Sequence, residues 1–218
     1  MKKFFQAIRK KENDTVKQLI EQKPELVNCT AKQPPKKDDG QSPLQVALKT
    51  GNFEIANFLL DRGADVNFME DAQNCCNDWR TPVLHDAIVA AVSCCRHNSI
   101  IDLGSRQIRE EHSSEEKADE SFNVLKRMLE MGADVHARES FGASCVWRLC
   151  RTAEDLLPGY SWGEHRAFKN AEVTPEWRHD LGRIFLLLKE YGADFSDEEI
   201  SRYLAEEQHP LREFLALL

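Results

Sequence analysis

Residues 39–67, DGQSPLQVALKTGNFEIANFLLDRGADVN, leave this chain few folds to adopt. Ser42 and Pro43 open a helix, because a serine oxygen accepts from the free N–H groups of a helix start and proline suits the first helical position. Leu44, Ala47 and Leu48 then recur at i, i+3 and i+4, one face of a helix. Gly51 stops that helix, and Asn52 caps a second one with the apolar face Ile55, Phe58, Leu59. Gly63 stops the second, and Ala64 and Asp65 turn the chain out. Two helices this short cannot bury their apolar faces alone, so the unit must stack on copies of itself.

Weaker copies lie on both sides. Upstream, Asn13, Val16, Leu19, Ile20, Pro24, Val27 and Asn28 stand 39 residues before Asn52, Ile55, Phe58, Leu59, Gly63, Val66 and Asn67. That constant offset reads as an N-terminal capping repeat, with Lys2, Lys3, Arg9, Lys10 and Lys11 on a solvated outer face. Downstream, Thr81 and Pro82 open a third repeat with Leu84, Ala87, Ile88, Ala91 and Cys95 on one face. It closes at Gly132, Ala133 and Asp134 after Val124, Leu125, Met128 and Leu129. A fourth opens at Ser144, turns Val146, Leu149 and Cys150 inward, and closes at Gly192, Ala193 and Asp194 after Ile184, Leu187 and Leu188. Ser196 and Glu199 then make a capping box, Ile200 and Leu204 face inward, and Pro210 starts a last helix with Leu211, Phe214, Leu215 and Leu218. The expected organisation is one domain with repeats at about 1–38, 39–77, 78–140 and 141–195 and a helical cap at 196–218.

Helix start to closing turn takes 21 residues in the second repeat (42 to 63), 51 in the third (81 to 132) and 48 in the fourth (144 to 192). The last two therefore carry long additions between their helices. Residues 97–119 end in the acid-rich REEHSSEEKADE, which predicts a solvated loop, with residues 114–117 alternatively lengthening the second helix backwards. Residues 158–174, with Trp177 just beyond, hold Tyr160, Trp162 and Phe168, too aromatic for a linker, and are expected to fold back on the stack before Thr174 and Pro175 open a helix. The fingers between repeats differ too: residues 30–37, TAKQPPKK, predict an exposed extended tip.

The motif at Ser42, Pro43, Leu44, Gln45, Val46, Ala47 and the ending Gly63, Ala64, Asp65, Val66, Asn67 resemble the ankyrin repeat, with its T-P-L-H-x-A start. Serine replaces threonine and glutamine replaces histidine. The resemblance implies an all-α fold: an ankyrin-repeat solenoid of stacked helix–turn–helix units, here with long inter-helix insertions and a C-terminal helical cap. It also implies a non-enzymatic protein-interaction module that works through finger tips and the concave first-helix face. Superposing repeat starts puts Gln45, Leu84 and Trp147 at the family's histidine position. Together with Phe68, Met69, Trp79, Arg80, Arg138 and Phe141 along the fingers, Gln45 and Trp147 are the expected protein-binding residues, tryptophan being enriched in interface hot spots.

Other chemistry finds less support. The net charge of −8 argues against a general nucleic-acid or anionic-membrane surface, and no run approaches the ~18 apolar residues of a membrane span. Seven cysteines without an export signal predict free thiols in a reducing compartment, the cytoplasm, and the expected state is a monomer. Cys75, Cys76, Cys94 and Cys95 with His85 and His97 could converge on a metal, but adjacent cysteines lack the usual C-x2-C reach, so no metal and no cofactor is expected. His85 and Asp86 are a residue pair of the acid–base type, but they lie in a T-P-L-H-x-A-like run with one residue inserted, and the resemblance implies that the histidine bonds neighbouring backbone. No phosphate loop, nucleophile elbow or H-E-x-x-H motif is present. The alternative reading is a metal-dependent or enzymatic regulator whose site is built by the two additions.

Overall fold

The computed structural model describes residues 1–102, 107–156, 160–161, 166–167, 173–196, 200 and 211–216. The chain packs as two compact units, residues 1–90 with 123–144 and residues 91–122 with 145–218.

The first unit is built of helix pairs. α1 (Lys2–Lys10) and α2 (Asn13–Gln22) make the first, α3 (Pro43–Lys49) and α4 (Phe53–Asp61) the second. The first turns of α5 (Val83–Ser93) and the last turns of α6 (Glu115–Glu130) make the third. α3 starts where the sequence predicts. Gln45 N–H donates to Ser42 Oγ at 3.2 Å and Ser42 N–H to Gln45 Oε1 at 3.1 Å, a reciprocal capping box. Asn52 caps α4 through its Oδ1, while its Nδ2 donates to Ile8 O at 3.2 Å and Asn13 Oδ1 at 2.9 Å. One side chain thus starts a helix and ties it to the preceding pair. Ile8, Val16, Ile20, Leu44, Ala47, Ile55 and Leu59 are buried between the pairs.

Gly63, Gly132 and Gly192 hold φ of 82°, 89° and 87°. At each, the glycine N–H bonds the carbonyl three residues back and the next alanine N–H the carbonyl five back, the hydrogen-bond pattern that lets a left-handed residue close a helix. Successive turns are clamped by an asparagine. Asn28 accepts from Asp65 N–H at 2.9 Å and donates to Gly63 O at 3.1 Å; Asn67 accepts from Asp134 N–H at 2.8 Å and donates to Gly132 O at 3.1 Å.

The offset of 39 holds at these clamps but fails inside the first pair. Lys11, at φ 57°, occupies the place of Gly51 at φ 60°, an offset of 40, and Glu12 rather than Asn13 precedes α2. The additional residue is absorbed by the 3-10 turn Pro24–Asn28, which replaces the glycine stop.

In the second unit, the 97–119 addition is not a loop. β1 (His97–Asp102) pairs antiparallel with β2 (Gln107–His112), in register from His97↔His112 to Asp102↔Gln107. α6 then begins at Glu115, so the end of the addition lengthens the second helix backwards. Composition counts charge and misses the β-branched residues of HNSIID and QIREEH that favour strands. The hairpin is anchored at its base: Ser113, at φ 69°, donates from Oγ to Cys94 O at 2.6 Å. α7 (Cys145–Asp155) buries Val146, Leu149 and Cys150 as expected. Within residues 158–174, β3 (Tyr160–Ser161) pairs with β4 (Arg166–Ala167); Trp162 and Phe168 lie outside the described residues. Thr174 Oγ1 accepts from Trp177 N–H at 3.1 Å to cap α8 (Pro175–Glu190). Trp177 and Phe185 meet Phe214 of the short α9 (Arg212–Leu215) with ring centres 5.4 and 5.3 Å apart, so a terminal helix does cover α8. Glu199, Leu204, Pro210 and Leu218 lie outside the described residues; Ser196 bonds Asp194 Oδ1.

The first two fingers touch at Gly40. Its φ is +82°, and a Cβ placed there would lie 2.7 Å from Cys75 Cβ. Cys75 Sγ donates to Asp39 O at 3.0 Å and Cys76 N–H to Asp39 Oδ2 at 2.9 Å, so the approach is held from both sides. Gly40→Ala is expected to destabilise the protein by about 1–2 kcal/mol through unfavourable φ and overlap, read as a lowered urea midpoint. Cys75→Gly in the same chain should recover part of the loss.

Candidate protein-binding surface

Each finger is a loop closed at its base. Gly40 N–H bonds Ala31 O at 2.9 Å and Ala31 N–H bonds Gln41 O at 2.8 Å in the first; Val83 N–H bonds Phe68 O at 2.8 Å in the second; Glu139 N–H bonds Ala143 O at 3.1 Å in the third. The third is the tightest, which fits its shorter span in the sequence. Its tip is stitched to the second finger: Ser140 N–H donates to Arg80 O at 3.0 Å, Arg80 N–H to Ser140 Oγ at 3.0 Å, and Ser140 Oγ to Asp78 O at 2.8 Å. Trp79 lies between the two residues so bonded, and Phe141 follows Ser140. The backbone therefore sets two large aromatics on adjoining tips, with Trp79 52% and Phe141 74% exposed.

The other expected residues divide. Arg138 is exposed, its guanidinium donating to Gly142 O at 2.7 Å, and Arg80, Phe68 and Met69 are half-buried along the fingers. Trp147, half-buried on α7 in the second unit, has the Arg148 guanidinium 5.7 Å from its ring centre. Gln45 is a correction: it is completely buried. Its Nε2 lies 3.0 Å from Thr81 O, 3.0 Å from Asp86 Oδ2 and 3.2 Å from Glu70 Oε1, and its Oε1 is used by the capping box. A partner cannot reach it.

The register of the third repeat also shifts by one. His85, not Leu84, stands where Gln45 stands: its Nε2 lies 3.1 Å from Ala137 O of the following finger, as Gln45 reaches Thr81 O of its own. Leu84 is core. The residue inserted after Pro82 moves the histidine back into the place that the T-P-L-H-x-A resemblance implies, and its backbone bond is structural.

Two acids escaped the sequence reading. Glu70 and Glu139 are buried at equivalent places; Glu70 accepts from Thr81 N–H at 2.8 Å and Glu139 from Ala143 N–H at 3.0 Å, each satisfying a backbone N–H where a finger returns. The signal was available: each lies five residues beyond the aspartate of a closing turn, Asp65 and Asp134. Asp86, buried beside Glu70, has its carboxyl pushed up to about 6 by burial, with Lys49 at 3.4 Å opposing and Glu70 reinforcing the shift. All seven cysteines are free thiols. Among the described residues, no three His, Cys, Asp or Glu side chains are gathered as a metal site would need. No described helix is long and apolar enough to cross a membrane.

Helix pairs closed by left-handed glycines, capped reciprocally and clamped turn to turn define a helical repeat scaffold that presents fingers. Residues 4–101 match the family model described as ankyrin repeats (3 copies), and the mostly helical structure fits an all-α repeat solenoid. The same closing turns recur beyond it, at Gly132 and Gly192. Ankyrin repeats are generally protein–protein interaction modules. No curated protein matches the chain.

Proposed function

We propose that the protein is a non-enzymatic interaction module that binds a partner protein through the adjoining tips of its second and third fingers. The observation that carries this is the exposure of Trp79 and Phe141 on backbone fixed by the Ser140 hydrogen bonds. Large aromatics held rigid lose little entropy on binding, and exposed apolar clusters on a soluble surface mark partner sites. Arg80 and Arg138 flank them and supply polar contacts at the rim. Phe68 and Met69 extend the apolar surface toward the finger base. Trp147 belongs to the proposal as a separate contact on α7. We place the module in the cytoplasm as a monomer, in keeping with its free thiols.

Trp79→Ala and Phe141→Ala are each expected to weaken partner binding tenfold or more, about 1.4 kcal/mol or above, with the melting temperature unchanged. The measurement is affinity capture from the native cell followed by titration of the recovered partner. A large fall in melting temperature for both variants, or capture undiminished by either, would count against an aromatic anchor.

A further inference from the structure

The first repeat carries charge of the opposite sign to the rest of the chain. Residues 1–38 hold ten Lys and Arg against five Asp and Glu, whereas residues 39–218 hold nineteen against thirty-two. The segregation is sharper locally. α1 (KKFFQAIRK) and residues 29–37 of the first finger (CTAKQPPKK) contain seven cations and no carboxylate.

The fold brings these two segments together. A cleft of about 80 Å³ runs between the start of α1 and the finger, lined by Lys2, Phe5, Arg9, Lys32, Pro34 and Pro35 among others. Its inner wall is fixed: Arg9 is paired with Asp38, Gln33 N–H donates to Asp39 Oδ1 at 3.1 Å, and the finger base is hydrogen-bonded. Asp38 and Asp39, the nearest carboxylates on the finger, are buried and engaged there. The outer cations are differently placed. Lys2, Lys3, Lys36 and Lys37 are exposed, and among the described residues no hydrogen bond or ion pair engages their ammonium groups; Lys32 is exposed and donates to Asn74 O at 3.1 Å.

We propose that this cleft and its lysines are a second docking site, and that its occupant is an acidic peptide segment of a partner protein. Charge complementarity selects the sign, because a run of glutamates or aspartates entering the cleft meets Lys2 on one wall and Lys32 on the other. Cleft size and surroundings select the class. The opening is of side-chain size, and Phe5, which lines it, is only 3% exposed and Phe4 only 2%, so neither ring offers a face for stacking nucleic-acid bases. The rest of the chain is acidic, which disfavours a long polyanion or a charged membrane plane over a short segment. The pre-formed finger adds little ordering entropy on binding.

The test is titration of the full chain with a fluorescein-labelled octaglutamate peptide, followed by anisotropy. Binding is expected at 20 mM salt and should weaken at least tenfold at 200 mM. The variant Lys2→Glu, Lys32→Glu, Lys36→Glu, Lys37→Glu should lose at least tenfold in affinity with its melting temperature unchanged, while Lys189→Glu on α8 should bind as the parent does. Trp79→Ala should also bind octaglutamate as the parent does, so this site and the aromatic tips can fail separately. Three results would overturn the proposal: octaglutamate binding that is absent at low salt, binding that survives the fourfold charge reversal, or equal or tighter binding of a twelve-nucleotide oligothymidylate or of phosphatidylserine vesicles. Lysine-dependent self-association of the chain at micromolar concentration would assign the site to a second copy and overturn it as well.

Discussion

Asp180→Ala is expected to destabilise the second compact unit by about 3–4 kcal/mol. Asp180 is 1% exposed and takes three hydrogen bonds from one residue: Arg96 N–H at 3.0 Å, Nε at 2.9 Å and Nη2 at 2.8 Å. Burial pushes the Asp180 carboxyl up, but the hydrogen bonds and charge of Arg96, helped by Arg183, outweigh it and hold the group below the usual aspartate range. Removing one member of such a pair leaves the other cation partly desolvated, which commonly costs about 3–5 kcal/mol. Glu115 Oε2, 3.7 Å from Arg96 Nη1, offsets part of this, which places the expectation at the lower end. The loss should appear first where the pair acts. Arg96 immediately precedes β1, so amide exchange in residues 97–112 should accelerate more than exchange in α2 or α4. Because the folded pKa is depressed, the pair's contribution is present above pH ~4 and lost as pH falls through the folded value. Wild type and Asp180→Ala should therefore converge in stability in acid. Equal exchange rates in the hairpin of the two proteins would show that Asp180 does not anchor it.

Asp86→Asn should act in the opposite direction and stabilise the protein at neutral pH. The Asp86 carboxyl is raised from 3.8 to about 6 by burial first, with Lys49 and the Gln45 amide opposing and the Glu70 charge adding to the shift. Holding it ionised at pH 7 therefore costs up to about 3 kcal/mol. Asparagine is neutral, keeps an acceptor for Gln45 Nε2, and relieves the repulsion with Glu70. The sign with pH follows. The stabilising effect of protonation is fully present below about 3.8, declines as pH rises through about 6, and is absent above that. The difference in melting temperature between Asp86→Asn and wild type should thus be largest at pH 7 and above and close toward pH 4. A difference independent of pH, or a variant less stable at pH 7, would mean that the Lys49 ion pair dominates.

How much of this was legible in the sequence depends on the range of the interaction. Ser42, Pro43, Gly51, Asn52 and Gly63 act on neighbours within one turn of helix, and each does what its residue type predicts. Thr174 and Pro175 were legible for the same reason. The hairpin at 97–112 was missed because REEHSSEEKADE was weighed by charge, and its anchor, Arg96 to Asp180, joins residues 84 positions apart. Gln45 was placed on the binding face because its register matched, but whether a register position is covered depends on what the next finger brings. Here the finger brings Glu70 and Thr81, and α5 brings Asp86. Trp79 and Phe141 were expected as binding residues along the fingers, whereas their adjacency rests on Ser140, a residue with no distinguishing sequence signal.

The asparagine clamps carry one more consequence. Asn28 reaches Asp65 across 37 residues of sequence and Asn67 reaches Asp134 across 67, yet the two hydrogen bonds are 2.9 and 2.8 Å long. The pitch of the stack is metered by a side-chain amide, not by the number of residues between rungs. Closing a loop almost twice as long adds only about 0.5 kcal/mol of entropy. Such a scaffold can acquire a foreign segment between its helices without losing its beat, so length drift there is nearly invisible to selection on stability. The segment between α5 and α6 is thus a natural port for grafted sequence, and the hairpin it holds now is one tenant among those the rail would carry.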